Sequence, residues 1–366
     1  MKILNISLDA SILKEGSRAR KRHIDYGRLF SELHILILYP GREQNVGNNI
    51  WIYSVSGNKL VRFLCAYKKA KRIIKNRQID LISSQDPFFA GLLGWLLKIK
   101  FGLPLQIQIH TDFLSPYFQG ESIFNRIRVK LAKFLVWQAD KIRVVSERIK
   151  NSLKQDGIEE KKIIVIPIYS EVKEKEVKIQ KKIEKKNKRA KFIFLTISRL
   201  SREKNIQAQI KAMAELSKKY FDAELWIIGD GPLKNELKEA ARKFGVGLQV
   251  KFFGWQKNLG KFYEQADVFL LTSNYEGWGM VVVEAASFGL PIIMTDVGLA
   301  GEFIKNNENG LIIPVADATK LADSMIRLIS NEILRDKLGE KSRQAVYRLP
   351  SKDENTRLYK ESFGLQ

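Results

Sequence analysis

The residues best suited to chemistry in this 366-residue chain lie in one stretch, Ser273-Asn-Tyr-Glu276-Gly277-Trp278-Gly279-Met280-Val-Val-Val-Glu284-Ala-Ala-Ser-Phe-Gly289-Leu-Pro291. It follows an apolar run and opens a helical one, so Gly277 and Gly279 fall where a chain turns tightly and exposes amides. A helix N-terminus with free N–H groups is an anion site, and a diphosphate suits it. Glu284 stands one turn beyond Met280, where its carboxylate can accept hydrogen bonds from a vicinal diol such as a ribose; Glu276, still in the loop, points at whatever lies beyond the phosphates. Read alone, the same stretch is also an ordinary glycine-rich turn with two solvated carboxylates. A second candidate comes from alternation: Leu105, Ile107 and Ile109 put His110 at the carboxyl end of a parallel strand, where open sheets bind ligands. The alternative there is a satisfied strand-end histidine. Asp112, two residues on, either orients His110 or contacts an acceptor.

The spacing of Glu, seven residues, Glu, with Gly-x-Gly between and Gly-x-Pro after, resembles the signature of the family 4 retaining glycosyltransferases, which have the GT-B fold. That resemblance implies that Glu276 contacts the donor sugar and Glu284 the nucleotide ribose, with Gly277, Gly279 and Met280 beside the phosphates. Thr196-Ile-Ser-Arg199-Leu-Ser-Arg-Glu-Lys204-Asn looks like the family's Arg-Leu…Glu-Lys motif, implying that Arg199 and Lys204 clamp the donor diphosphate. The physics agrees. A departing nucleoside diphosphate develops negative charge, which two fixed cations and a helix N-terminus stabilise without a metal. Gly229-Asp230-Gly231-Pro232 and Phe253-Gly254-Trp255 fit the family's turns beside the nucleotide, Trp255 either packing or lying against a base. Thr295-Asp296-Val-Gly298 and Glu302 resemble the tail of the same block, with no role assigned.

The resemblance also places His110 beside the donor sugar and leaving phosphate, with Asp112 and Gly16 on the acceptor side. Two departures stand out. Where many members have Gly-Gly in the first loop, this chain has Gly16-Ser17 and then four basic residues in five; Pro167-Ile-Tyr-Ser170 replaces the family's Asn-Gly-Val-Asp. The implied activity is transfer of a hexose-type sugar, with retention, from a UDP- or GDP-linked donor to a lipid-linked or saccharide acceptor in polysaccharide or glycolipid synthesis. The nucleotide sugar is a co-substrate, and no cofactor or metal is expected. Two alternatives from other classes are a nucleotide-sugar epimerase on the same fold and a basic nucleic-acid binder. The latter lacks any zinc, RNA-recognition or helix-turn-helix signature.

These residues need elements to hold them. Short β-branched runs alternate with amphipathic stretches from end to end, the pattern of parallel sheets covered by helices. The expected strands are Lys2–Ser7, Leu33–Tyr39, Ile79–Ser83, Leu105–His110, Lys141–Val145 and Ile163–Pro167, then Phe192–Ser198, Ala223–Gly229, Gln249–Phe253, Asp267–Thr272, Pro291–Thr295 and Gly310–Ile313. The fold class that follows is α/β, two doubly wound Rossmann-like domains, which the resemblance sets facing across a cleft. The expected division is an acceptor-side domain at 1–170, a charged linker at 171–190, a donor domain at 191–349, and a last helix at 350–366 that returns to the first domain as the resemblance implies.

Charge is distributed unevenly. Of the formal +23, residues 1–170 carry 29 basic and 14 acidic groups, whereas 191–366 carry 25 and 22. Such an excess suits polyanions, anionic membranes or phosphorylated small molecules. The first domain offers an address in Leu60 to Asp80, where Leu60, Phe63, Leu64 and Tyr67 lead into six cations, and in Phe88 to Leu103 with an exposed-looking Trp95. Basic, aromatic-bearing helices suit an anionic bilayer, so peripheral contact with the inner face of the cytoplasmic membrane is expected of an otherwise cytoplasmic protein. The alternative is an ordinary charged helix with a core Trp. The single cysteine, Cys65, excludes an internal disulfide and reads as a small buried hydrophobe.

Overall fold

The computed structural model describes residues 1–169 and 191–364, so the expected linker lies outside the described residues. The chain divides into two units: Met1–Pro167 together with Lys352–Gln366, and Ile168–Ser351.

The first unit is built on an eight-stranded sheet. Its strands are β1 (Lys2–Ser7), β2 (Glu32–Ile37), β3 (Gln44–Asn45), β4 (Ile50–Ser54), β5 (Leu81–Ser84), β6 (Leu105–Ile109), β7 (Lys141–Val144) and β8 (Ile163–Val165). They run in the order β3-β4-β2-β1-β5-β6-β7-β8, all parallel except the β3–β4 pair. Continuous Ile, Leu and Val runs, buried on both faces, are what a helix-covered parallel sheet requires. The sequence reading placed no strand at β3 or β4. β4 is an alternating strand, Ile50, Ile52 and Ser54 buried with Trp51 and Tyr53 half-buried between them, and it extends the sheet beyond β2.

The segment after Pro350 forms a helix, Lys352–Glu361, belonging to this first unit. Tyr359 stacks on Tyr26 with ring centroids 3.7 Å apart, and Asn355 Nδ2 donates to the Pro167 carbonyl at 2.6 Å. A buried polar relay ties it to the sheet: Gln108 Nε2 donates to Tyr359 Oη at 3.1 Å and Gln106 Nε2 to the Ser362 carbonyl at 2.9 Å. Arg143 donates to Gln108 Oε1 at 2.6 Å while its guanidinium lies over the Tyr359 ring.

The second unit has six parallel strands, β9 (Ile193–Ile197), β10 (Glu224–Ile228), β11 (Val250–Gly254), β12 (Val268–Leu271), β13 (Ile292–Thr295) and β14 (Leu311–Ile313), in the order β11-β10-β9-β12-β13-β14. From β9 the chain winds towards β11 and from β12 towards β14. The carboxyl ends of β9 and β12 therefore flank the point where the strand order reverses, where doubly wound sheets bind ligands. The core beneath packs Phe194, Leu225, Ile227, Val268, Leu270 and Ile293 against Ile210 and Met213 of the Ile206–Ser217 helix.

Two side chains differ from expectation. Cys65 is exposed, because it falls on the outer side of the Lys59–Arg77 helix, whose inner side is Ala66, Ala70, Ile73 and Ile74. Trp95 is half-buried, packed edge-to-face on Phe134 at 5.0 Å. Among the described residues no helix is long and apolar enough to cross a membrane.

Candidate active site

In the second unit the loops leaving β9 and β12 are fastened to each other. Asn274 N donates to the Glu203 carbonyl at 2.7 Å, and Thr272 Oγ1 donates to the Lys204 carbonyl at 3.1 Å. Asn205 Nδ2 reaches Asn274 Oδ1 at 3.2 Å; Asn205 itself is left-handed (φ 47°), a turn that asparagine tolerates. The consequence is that Lys204 Nζ forms an ion pair with Glu276 Oε1, an oxygen that also accepts from Ser273 Oγ at 2.8 Å. Two of the residues singled out by the sequence, 72 positions apart, are thus in direct contact.

Arg199 is largely exposed on the same loop, with Nη2 2.5 Å from Glu203 Oε1. Glu203 is held by more than charge. Burial pushes its carboxyl up, but hydrogen bonds from Ser201 Oγ and Arg199 win and keep it below the usual carboxylate range. Both expected phosphate cations therefore have a carboxylate partner here, Glu203 for one and Glu276 for the other.

Gly279 caps the Met280–Ser287 helix with φ 90°, a left-handed conformation that favours glycine, and having no side chain it supplies no capping acceptor of its own to the first-turn amides. Gly277 is buried with no such backbone requirement, so only Gly279 is explained by the turn itself. Glu284 is buried on that helix, and Tyr263 Oη donates to its Oε2 at 3.0 Å.

The backing of these loops explains several glycines. A Cβ on Gly229 (φ 133°) would sit 1.9 Å from the Ser198 carbonyl oxygen, so the β9 and β10 ends approach only because residue 229 has no side chain. On the other flank a Cβ on Gly298 would meet Glu276 Cβ at 2.9 Å, and Thr295 Oγ1 donates to the Ser273 carbonyl at 2.6 Å. The Thr295–Gly298 turn is therefore the wall against which the Glu276 loop rests. Trp255 is 72% exposed, which sets aside packing within the chain.

In the first unit His110 follows β6 as expected. Its Nε2 lies 3.2 Å from Gln85 Oε1, and Gln85 Nε2 in turn donates to Asn5 Oδ1 at 3.1 Å, so one ring nitrogen is held by the residue that follows β5, itself held from within β1. Burial, then the charges of Arg143 and Arg22, then His23, hold its pKa well below the ordinary imidazole value, and the ring is neutral at pH 7. Asp112 faces the Leu114 and Ser115 amides; burial raises its pKa against the pull of Arg148 and those amides. Gln85, not Asp112, orients His110. Gly16 is left-handed (φ 73°) with open space beside it, and Ser17 caps the following helix by accepting from Arg20 N at 3.1 Å.

Sequence reasoning gave no role to Glu203, Asn274, Tyr263, Thr295 or Gly298. Glu203, Asn274, Thr295 and Gly298 all stood inside quoted motifs and were within reach, whereas Tyr263 stood in none; what each of them does comes from tertiary approach. Among the described residues no three His, Cys, Asp or Glu side chains gather as a metal site.

The chain matches the model of the glycosyl transferases group 1 over residues 176–345 and that of glycosyltransferase family 4 over residues 32–168. It is 30% identical over 322 residues to an uncharacterized glycosyltransferase of Methanocaldococcus jannaschii, spanning 86% of this chain and 84% of that one. To the N-acetyl-alpha-D-glucosaminyl L-malate synthase of Bacillus anthracis it is 26% identical over 329 residues, with 86% and 84% spanned. To the alpha-monoglucosyldiacylglycerol synthase of Streptococcus pneumoniae it is 30% identical over 240 residues, 62% of this chain and 54% of that one. Among solved structures, sucrose-phosphate synthase from Thermosynechococcus elongatus superposes with a TM-score of 0.81 at 19% identity over 99% of both chains. Anabaena HepE, solved with UDP and glucose, gives 0.77 at 18% identity over 100% of this chain and 99% of that one. The epimerase alternative finds no support in these relatives. Both halves matched by glycosyltransferase models, and a 30% identical glycosyltransferase aligned over most of both lengths, place the chain in the group 1, family 4 glycosyltransferases, with their GT-B fold of two Rossmann-like domains.

Proposed function

We propose that the chain transfers a hexose-type sugar from a uridine diphosphate sugar to a saccharide or lipid-linked hydroxyl, with retention at the anomeric carbon and without a metal. One observation carries the donor reading: Lys204 and Glu276 meet where the second sheet reverses its strand order, beside a glycine-capped helix start. UDP is preferred over GDP because HepE, similar in fold, was solved with UDP and glucose. The lipid-linked acceptor draws on the name of the Streptococcus pneumoniae relative, a glucosyldiacylglycerol synthase.

In this reading Arg199, Lys204 and the Met280 amide bind the diphosphate, Glu284 the ribose, and Glu276 the sugar. The bond between the anomeric carbon and the diphosphate oxygen breaks, the acceptor hydroxyl oxygen bonds to the same face, and its proton passes to the departing phosphate. Cations released from Glu203 and Glu276 stabilise the charge that develops on the leaving group. His110, neutral and held by Gln85, donates or accepts a hydrogen bond in the same reaction. Trp255 is available for a base, and Asp112 and Gly16 belong to the acceptor side.

A thermal-shift panel with UDP, GDP, ADP and their sugar conjugates tests the donor, since a ligand of the folded state raises its melting temperature by mass action. A UDP shift that falls in Glu284→Ala is expected; no shift with any nucleotide would sink the donor reading. Once an acceptor is known, the anomeric configuration of the product decides retention, and activity abolished by EDTA and restored by a divalent ion would refute metal independence. His110→Ala is expected to lower turnover by about 10² with little change in the UDP shift.

A further inference from the structure

The Ile123–Gln138 helix of the first unit has two apolar sides. The inner one, Val129, Ala132, Leu135 and Val136, is buried, as an amphipathic helix covering a sheet requires. The outer one is not polar. Ile123 (72%), Phe124 (79%), Ile127 (60%), Phe134 (45%) and Trp137 (55%) are all exposed. At 3.6 residues per turn, Ile123, Ile127, Phe134 and Trp137 fall within an arc of about 80°, a ridge along a helix about 24 Å long. Isolated exposed hydrophobes are normal in folded proteins, but a continuous ridge of this size marks a contact surface.

Its charges indicate what it touches. The helix contains four Arg or Lys and no Asp or Glu. Arg126 and Lys133 flank one edge of the ridge, while Lys130 stands within it on a stem long enough to keep the ammonium at the polar layer. Lys133 pairs with Asp156 and Arg128 lies over the Phe88 ring, whereas Arg126 and Lys130 form no ion pair among the described residues. A second copy docking through the same ridge would bring cations of one sign face to face. An anionic lipid surface instead takes up the apolar side chains and attracts the cations around them, and a Trp at the helix end suits the headgroup boundary.

We propose that the outer face of the Ile123–Gln138 helix lies on an anionic membrane surface. This adds to the contact that the sequence placed on the Leu60–Asp80 and Phe88–Leu103 stretches, where Leu60, Leu64 and Ile99 are also exposed. It deepens the lipid-linked acceptor reading and rests on it only for why the enzyme visits a bilayer.

Flotation of the full chain with vesicles of phosphatidylcholine alone or mixed with phosphatidylglycerol tests it. Binding to the mixed vesicles at low ionic strength, reversed by salt, is expected. Phe124→Ser combined with Ile127→Ser lowers partitioning about tenfold, and Arg126→Glu combined with Lys130→Glu does so by a similar factor, both keeping the wild-type UDP shift and melting temperature. Absence of flotation, or flotation of both variants equal to wild type, overturns the proposal. So does a concentration-dependent dimer in sedimentation velocity that the Phe124→Ser, Ile127→Ser variant loses. The UDP shift is read on the same preparations, so a failed donor reading is told apart from a failed membrane contact.

Discussion

The carboxyl ends of the two sheets solve the same problem differently. In the second unit, the loops after β9 and β12 carry full charges, and each cation has a carboxylate against it: Lys204 with Glu276, Arg199 with Glu203. In the first unit, the end of β6 carries an imidazole, His110, and the Arg18–Gly27 helix a second, His23, both acted on by the charge of Arg143, and burial keeps them neutral. His110 sits well below the ordinary value and His23 is brought down to about 4, its burial outweighing the bond to the Ala19 carbonyl. Paired charges can be rearranged by an anionic ligand; neutral imidazoles can only exchange hydrogen bonds. In the proposed reaction, the difference gives the handling of phosphate charge to the second unit and leaves the first with a neutral hydrogen-bonding group.

That contrast is open to attack. The largest effect expected is from Lys204→Ala, which removes a fixed cation and strands Glu276: kcat/KM should fall about 10³-fold. If the loss were no greater than for His110→Ala, the division between charged and neutral sites would fail.

The next effect is on stability. His23 is neutral in the folded state down to about pH 4, while the unfolded chain takes up its proton near pH 6.5. Its folded value is depressed, so native stability is undiminished by this group above pH 6.5 and is lost as pH falls towards 4, by about 3 kcal/mol over that window. Urea unfolding at pH 7 and pH 4.5 should show His23→Gln with a visibly flatter dependence than wild type; parallel curves would mean that His23 does not carry this linkage.

The smallest effect sharpens the donor side. Tyr263→Phe removes one hydrogen bond to Glu284 and should weaken UDP binding only a few-fold, with kcat little changed. A loss matching Glu284→Ala would show that Tyr263 does more than hold a carboxylate in place.

Legibility followed the same divide. The second unit's candidates were readable because their spacing is local: Glu276, Gly279 and Glu284 lie on one loop and one helix, and Arg199 and Lys204 on one turn. What fixes that loop was not readable, since Thr295 and Gly298 arrive from the next strand and Tyr263 from a helix preceding β12. In the first unit, β4 was missed because Ile50–Ser54 is a short run behind a polar loop, and its alternation is one of burial, which the apolar and aromatic side chains of Ile50-Trp51-Ile52-Tyr53 do not display. The outward ridge was missed for a different reason. A helix apolar on both sides shows no clear period, whereas the Lys59–Arg77 helix announces itself by its cations, with Leu60 and Leu64 exposed and Phe63 and Tyr67 partly buried.

The final helix carries a temporal consequence. Tyr359 and Phe363 complete the core formed by Ile3, Tyr26, Phe30, Leu33 and Ile35, yet unit one pauses at Pro167 and resumes only at Lys352. On a ribosome adding about 5–20 residues per second, that interval lasts about 10–40 s. Throughout it, the amino-terminal sheet waits with an unfilled seat while the whole of the second sheet emerges. The second unit is therefore free to mature first, although its synthesis begins after most of the first, and the nascent first unit is the segment that chaperones would meet incomplete.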